Sequence, residues 1–97
     1  MLGHEQGRAR PVLIISVDAL NSGPSNLVSV LPITSNLRGI TGRVALDPPE
    51  GGLQRSSMII TEQCRTISQA RLTRRLGRIR TDSMAQVEDA LRLFLGL

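Results

Sequence analysis

Residues 82–95 read DSMAQVEDALRLFL, and the behaviour of this stretch decides how the rest of the chain must be arranged. Met84, Val87, Leu91, Phe94 and Leu95 fall at i, i+3, i+7, i+10 and i+11, one stripe on a 3.6-residue helix. Asp82 stands where an N-cap side chain accepts a free backbone N–H, and Gly96 stands where a helix ends. The spacing predicts an amphipathic helix over 83–95 whose apolar face needs a sheet to cover. Upstream the period changes. Pro11 opens VLIISV (12–17), followed by LVSVLPIT (27–34), with Pro32 restricting its end. A short strand is expected at 44–46 and a further one over SSMIITEQ (56–63), continuing after a bend at 65–67. Between them DALNSGPSN (18–26), SNLRGITGR (35–43) and DPPEGG (47–52) concentrate turn formers. Residues 1–10 read as a loop, 69–75 as one helical turn and 76–80 as a last short strand. Short strands followed by one helix give an α+β fold, a curled sheet or open barrel capped by the helix, in a single domain over 1–97.

A chain of 97 residues with one Phe and no Trp or Tyr must build its interior from Val, Ile, Leu and Met. A domain this size buries only ~60–70% of the surface its unfolded chain exposes, so the core is thin and a homodimer is expected. Twelve basic residues stand against eight acidic ones, and all twelve are Arg. A planar guanidinium matches phosphate in two-toothed fashion, so an Arg-only basic surface suits nucleic acid, although a base-composition bias of the genome would leave the same mark. Cys64 is the only cysteine, which excludes an internal disulfide and points to an intracellular protein with a buried thiol. The first ten residues lack the apolar core of a secretory signal, and no run approaches the ~18 apolar residues of a membrane span. A cytoplasmic location with no membrane partner is the expectation.

His4 is the sole histidine, so there is no Ser-His-Asp set and no Cys-His pair with metal-ligand spacing. A phosphate-cradling GxxxxGK and a carboxylate cluster are absent too, and no metal or cofactor is expected. What remains is a polar segment around Glu5, Gln6, Arg8 and Arg10, and the cluster Thr34-Ser35-Asn36 at a strand end. The run Arg71, Arg74, Arg75, Arg78, Arg80 reads as a solvated basic face able to assist non-specific capture of a polyanion.

The string GHEQxxxRPVLIIS (3–16) is similar to the loop and second strand of MazF/PemK toxins. VLPITSN (30–36) resembles their next strand and its polar tip, and SMIITEQCRTI (57–67) a third block, followed by RL and RLGRI and then the helix. The resemblance spans nearly the whole chain in order, and implies an SH3-like or CcdB-like barrel with a C-terminal helix. It implies a toxin of a type II toxin–antitoxin system: a metal-independent endoribonuclease on single-stranded RNA, a homodimer, with a cognate MazE-like antitoxin as partner and no DNA bound by the toxin alone. By the same resemblance Arg10 and Thr34 are catalytic, Glu5, Gln6, Ser35 and Asn36 hold the RNA, and Glu62 and Gln63 contact bases. A 2′-OH attack would leave a 2′,3′-cyclic phosphate, or 3′-phosphate, and a 5′-OH. A guanidinium gives up its proton far less readily than other side chains, so arginine suits a clamp or acid better than a base. Glu5 is the alternative base.

Family members usually begin with a further strand before the GHEQ loop, and here Met1 stands almost at that loop. The sheet is therefore expected to lack its first strand. Two other readings keep the fold without the reaction. A CcdB-like toxin binds gyrase through a Trp-containing end, whereas this chain ends Phe94-Leu95-Gly96-Leu97. An inactive, truncated relative would retain only antitoxin binding.

Overall fold

The computed structural model describes residues 2–5, 10–17, 21 and 23–97, with residues 4 and 5 described as backbone. Seven strands precede one long helix among them: β1 (Leu2–Glu5), β2 (Arg10–Ile14), β3 (Leu27–Thr34), β4 (Val44–Leu46), β5 (Ser57–Ile59), β6 (Arg65–Ser68), β7 (Leu72–Gly77) and α1 (Thr81–Leu95). The strands run in the order β4-β5-β3-β2-β1-β7, with β6 also on β3, and every pairing is antiparallel. No described helix is long and apolar enough to cross a membrane.

β3 organises the sheet because it is long enough to serve three partners. Its residues 27–30 pair with β6, 30–32 with β2, and 33–34 with β5. Handing one strand between neighbours curls the sheet, but the order runs from edge β4 to edge β7 without returning, so the barrel stays open. Both faces of β2 and β3 are covered. Leu13, Leu31 and Ile33 join Leu2, Val44, Leu46, Leu53, Ile59 and Val87 in one cluster. Val12, Val28, Val30 and Ile67 form a second. Strands buried on both faces read as unbroken apolar runs, which is why VLII and VLPI show no alternation.

Several expectations are corrected. Residues 2–5, expected in a loop, form β1, hydrogen-bonded to β2 on one side and β7 on the other. The sheet therefore has a strand between β2 and β7, where the sequence suggested a missing member. The stretch 56–63 is not one strand: β5 ends at Ile59, a turn follows, and β6 is a separate strand on β3. The helical turn expected over 69–75 is confined to Gln69–Arg71, and the last strand runs over 72–77 rather than 76–80. Cys64, expected to be buried, is exposed. Of the expected loop 18–26, residues 18–20 and 22 lie outside the described residues; 23–26 turn the chain into β3 through Asn26, at φ 57°.

The helix begins at Thr81 behind Arg80 as N-cap, one turn's edge earlier than an Asp82 cap would give, and Asp82 lies in its first turn. Gly96 ends it in the left-handed conformation, as expected. Ser83, Val87 and Ala90 are buried, with Met84 and Leu91 half-buried beside them. Leu93, Phe94 and Leu95 are exposed, so the stripe leaves the core at its C-terminal end. There the Phe94 ring lies over Gly42, where an added Cβ would come within 2.7 Å of Cζ.

Candidate functional site

The strand register brings the two best sequence candidates together. The β2–β3 ladder ends where Val12 pairs with Pro32, and Arg10 and Thr34 each lie two residues beyond that pair, at the same end of the two strands. Both residues line one concavity there. On the other flank β1 sets the backbone of Glu5 opposite Arg10. Gln6 lies outside the described residues.

These positions open onto a groove of ≈ 750 Å³. Its base is made by Arg10, Pro11, Ile33 and Thr34, continued by Ser35 and Asn36. Its rim is made by the segment 52–55 with Ser57, and by Arg74 and Leu76 of β7. Two strands separate β7 from β3, yet one rim includes both neighbourhoods, because the chain crosses between them. The tight 3-10 turn Glu50–Gly52 presses its backbone onto β7, and the chain then enters β5, which pairs with β3. The carboxylate of Glu50 fastens the same turn by accepting from the Arg80 N–H at 2.9 Å.

Three guanidiniums, those of Arg10, Arg55 and Arg74, are the only charged groups among the described residues lining this groove. No described residue gives any of them an ion-pair or hydrogen-bond partner. Uncompensated fixed cations around one concavity raise the local concentration of anions. The Thr34 hydroxyl accepts a hydrogen bond from the Asn36 N–H at 3.0 Å, which orients its oxygen and leaves its own proton free to donate. Ser57 is buried, and its hydroxyl donates to the Arg55 carbonyl at 2.9 Å, fixing that stretch of rim.

Of the residues singled out in the sequence, Arg10, Thr34, Ser35 and Asn36 meet at the groove. Glu62 and Gln63 do not line it. Arg43 donates through Nε to Glu62 Oε1 at 2.7 Å, and its second nitrogen lies 2.6 Å from the same oxygen. Gln63 is exposed in the turn after β5, its N–H donating to the Ile60 carbonyl at 3.2 Å. Thr61, buried next to them, donates to the Gly42 carbonyl at 2.7 Å. This turn therefore staples the end of the 35–43 connection. The Arg43 hydrogen bond holds the Glu62 carboxyl below the usual glutamate range. A carboxyl whose pKa is depressed by folding contributes stability above its unfolded value, about 4.3, and loses that contribution as pH falls through the folded value. Glu62→Gln is thus expected to lower stability at pH 7 by up to ~1 kcal/mol, the scale of a partly exposed pair. At pH 3 the deficit should shrink. Urea melts of both proteins at the two pH values measure this; an equal deficit at both would show that charge is not the cause.

Nothing in the sequence singles out Gln54 or Arg55. Arg74 was absorbed into a basic run, although alternation along β7 separates it from Arg75. Arg55 carried no signal beyond its place between a Gly-rich turn and a strand.

Comparison with known proteins agrees with this architecture. Residues 1–95 match a family model described as PemK-like, MazF-like toxin of type II toxin–antitoxin system. Endoribonuclease EndoA of Bacillus subtilis is 34% identical over 98 residues, covering 100% of this chain and 84% of its own. The solved structure of Mycobacterium tuberculosis toxin MazF-mt6 superposes with a TM-score of 0.88 at 27% identity, covering 99% and 96% of the two chains. A mycobacterial endoribonuclease in complex with its cognate antitoxin gives a TM-score of 0.85 at 26% identity, covering 99% and 91%.

Proposed function

This chain belongs to the family of PemK-like, MazF-like toxins of type II toxin–antitoxin systems, and from that premise we propose that it is a metal-independent endoribonuclease acting on single-stranded RNA. The observation that carries the reading is that Arg10, which has no ion-pair partner among the described residues, lines one groove with the Thr34 hydroxyl, and that the described lining of this groove holds three cations and no carboxylate. A polyanion is the ligand such a groove attracts.

In the proposed reaction the ribose 2′-oxygen attacks the adjacent phosphorus while the bond from phosphorus to the 5′-oxygen breaks. The 2′-OH proton passes to a base and a proton is delivered to the departing 5′-oxygen. The products are a 2′,3′-cyclic phosphate, or the 3′-phosphate after water opens it, and a 5′-OH. Negative charge grows on the non-bridging oxygens at the transition state, and preorganised donors aimed at that charge are commonly the largest catalytic contribution. Arg10 supplies a two-toothed charged donor and Thr34 a hydroxyl donor. Arg10 serves as clamp or acid, the roles a guanidinium is suited to. Glu5 is assigned the base, on the support that its backbone lies opposite Arg10 in the β1–β2 ladder. Ser35 and Asn36 extend the polar end of the groove along the strand, and Gln6 adjoins Glu5 in sequence. Glu62 and Gln63 keep a proposed part in base contacts at the far side of the 35–43 connection.

The related structures bound to antitoxins support the same kind of partner here, an acidic segment that folds over the basic groove. The thin aliphatic core supports a homodimer.

The test is to incubate the purified protein with mixed-sequence single-stranded RNA in EDTA, beside Thr34→Ala, and map the ends. Discrete cuts that leave 5′-OH ends and are weakened by Thr34→Ala are expected. Absence of cleavage by a folded protein would overturn the enzymatic reading in favour of an inactive relative that binds antitoxin.

A further inference from the structure

The groove holds more positive charge than one scissile phosphate needs, and its cations are not in one place. Arg10 starts β2, whereas Arg74 lies on β7, with β1 between them. Two strand spacings of ~4.8 Å separate their backbones by roughly 10 Å. Arg74 stands opposite residue 4 of β1, whose other neighbour is Pro11. Arg55 reaches the same rim from the other direction. Gly52 lies so close to β7 that an added Cβ would sit 2.3 Å from the Leu76 carbonyl oxygen, and Gly77 meets the Gly51 backbone likewise. Three residues on, Arg55 is anchored by the buried Leu53 before it and by the Ser57 hydroxyl on its own carbonyl. Both side chains are exposed, line the groove, and lack a counter-charge among the described residues.

We infer that Arg55 and Arg74, with the Gln54 amide beside them, form a second phosphate subsite that grips the phosphate neighbouring the one cleaved at Arg10. The inference rests on the reading of this groove as an RNA-cleaving site. Backbones roughly 10 Å apart, carrying long Arg side chains, serve two phosphates of one strand more readily than a single shared one, and the two exposed guanidiniums on one rim offer charge-assisted donors to a backbone phosphate. The subsite reads no base. It sets the register of the strand, so that a substrate must extend at least one phosphate beyond the bond broken.

The test uses an oligoribonucleotide spanning a mapped cleavage site, in which each flanking phosphate in turn is replaced by a neutral methylphosphonate. In the wild type, neutralising one flanking phosphate is expected to raise KM and lower kcat/KM by on the order of 10–100-fold, the scale of a charge-assisted hydrogen bond. In the Arg55→Ala/Arg74→Ala protein the penalty for that same replacement should fall to near one. An undiminished penalty in the double variant, or no penalty at either flank in the wild type, would overturn the subsite. A second arm separates this outcome from failure of the ribonuclease reading. Binding of the all-2′-O-methyl oligoribonucleotide, which cannot be cleaved because its 2′-oxygens are blocked, is followed by fluorescence anisotropy against salt. Loss of one phosphate contact should flatten the log–log slope by ~0.7 in the double variant. An unchanged slope there overturns the subsite whether or not the protein cleaves RNA.

Discussion

Replacing Arg10 with alanine is expected to reduce RNA cleavage by on the order of 10²–10³, the cost of deleting one preorganised donor to a developing oxyanion. The argument for so large a loss starts with where the side chain is. Arg10 opens β2, is exposed, lines the groove, and has no partner among the described residues that would need to be broken before it met a phosphate. Among the described residues none is held by its guanidinium, and the strand is fixed by Val12 and Leu13, each fully buried, and by its ladders to β1 and β3. The variant should therefore fold as the wild type does, with an unchanged circular dichroism spectrum and urea midpoint. Arg10→Lys keeps the charge but loses the planar fork, and an intermediate rate is expected. The measurement is kcat/KM on a labelled oligonucleotide. Alanine cleaving within threefold of the wild type would remove Arg10 from the mechanism. Glu5→Gln asks the complementary question: if Glu5 is the base, the rising limb of the pH–rate profile should disappear, and a profile of unchanged shape would assign that proton elsewhere.

The parts of this molecule legible in its sequence are those decided locally. LVSVLPIT is β3 to the residue, and the apolar period of 84–95 marks the helix, because burial on a fixed face leaves its imprint in any window. Arg10 and Thr34 are readable as candidates since each stands at the end of such a strand, and the fold brings both to one groove. What escaped was decided at a distance. LGHE has little strand propensity, and it is a strand because β2 and β7 offer hydrogen-bonding edges on both its sides. LTRR, 72–75, reads as the end of a helical turn for the same reason: its partner lies about seventy residues away in β1, beyond any local pattern. That misreading also hid Arg74, whose alternate position on β7 faces the groove. Glu62 was assigned to the RNA by resemblance, and its pairing with Arg43 depends on a turn and a connection that only the folded sheet juxtaposes. The buried thiol expected of a lone cysteine failed because residue 64 sits in the exposed link between β5 and β6.

Gly52→Ala is expected to be the most damaging conservative change in the chain, costing about 2–5 kcal/mol from left-handed strain and overpacking together. Gly52 has φ +76°, a conformation that L side chains rarely adopt, and its missing Cβ would lie 2.3 Å from the Leu76 carbonyl oxygen and 3.1 Å from its carbon. The obstacle is backbone in β7, whose ladder to β1 resists displacement, rather than the end of a movable side chain. Two other glycines separate the causes. Gly96 has φ +71° with nothing within 4 Å of its Cβ position, so alanine there should report the strain alone, about 1–2 kcal/mol. Gly39 has open space and no such φ, and alanine there should fall within ±0.5 kcal/mol of the wild type, as surface changes usually do. The order in urea midpoint should be Gly39→Ala, then Gly96→Ala, then Gly52→Ala, against a total stability of ~5–15 kcal/mol. If Gly52→Ala proved as mild as Gly96→Ala, the turn would not be pressed on β7. That outcome would matter beyond stability, because the same contact holds Arg55 and Arg74 on one rim. A partly folded Gly52→Ala protein should lose the flanking-phosphate penalty while Arg10 and Thr34, at one end of β2 and β3, stay together.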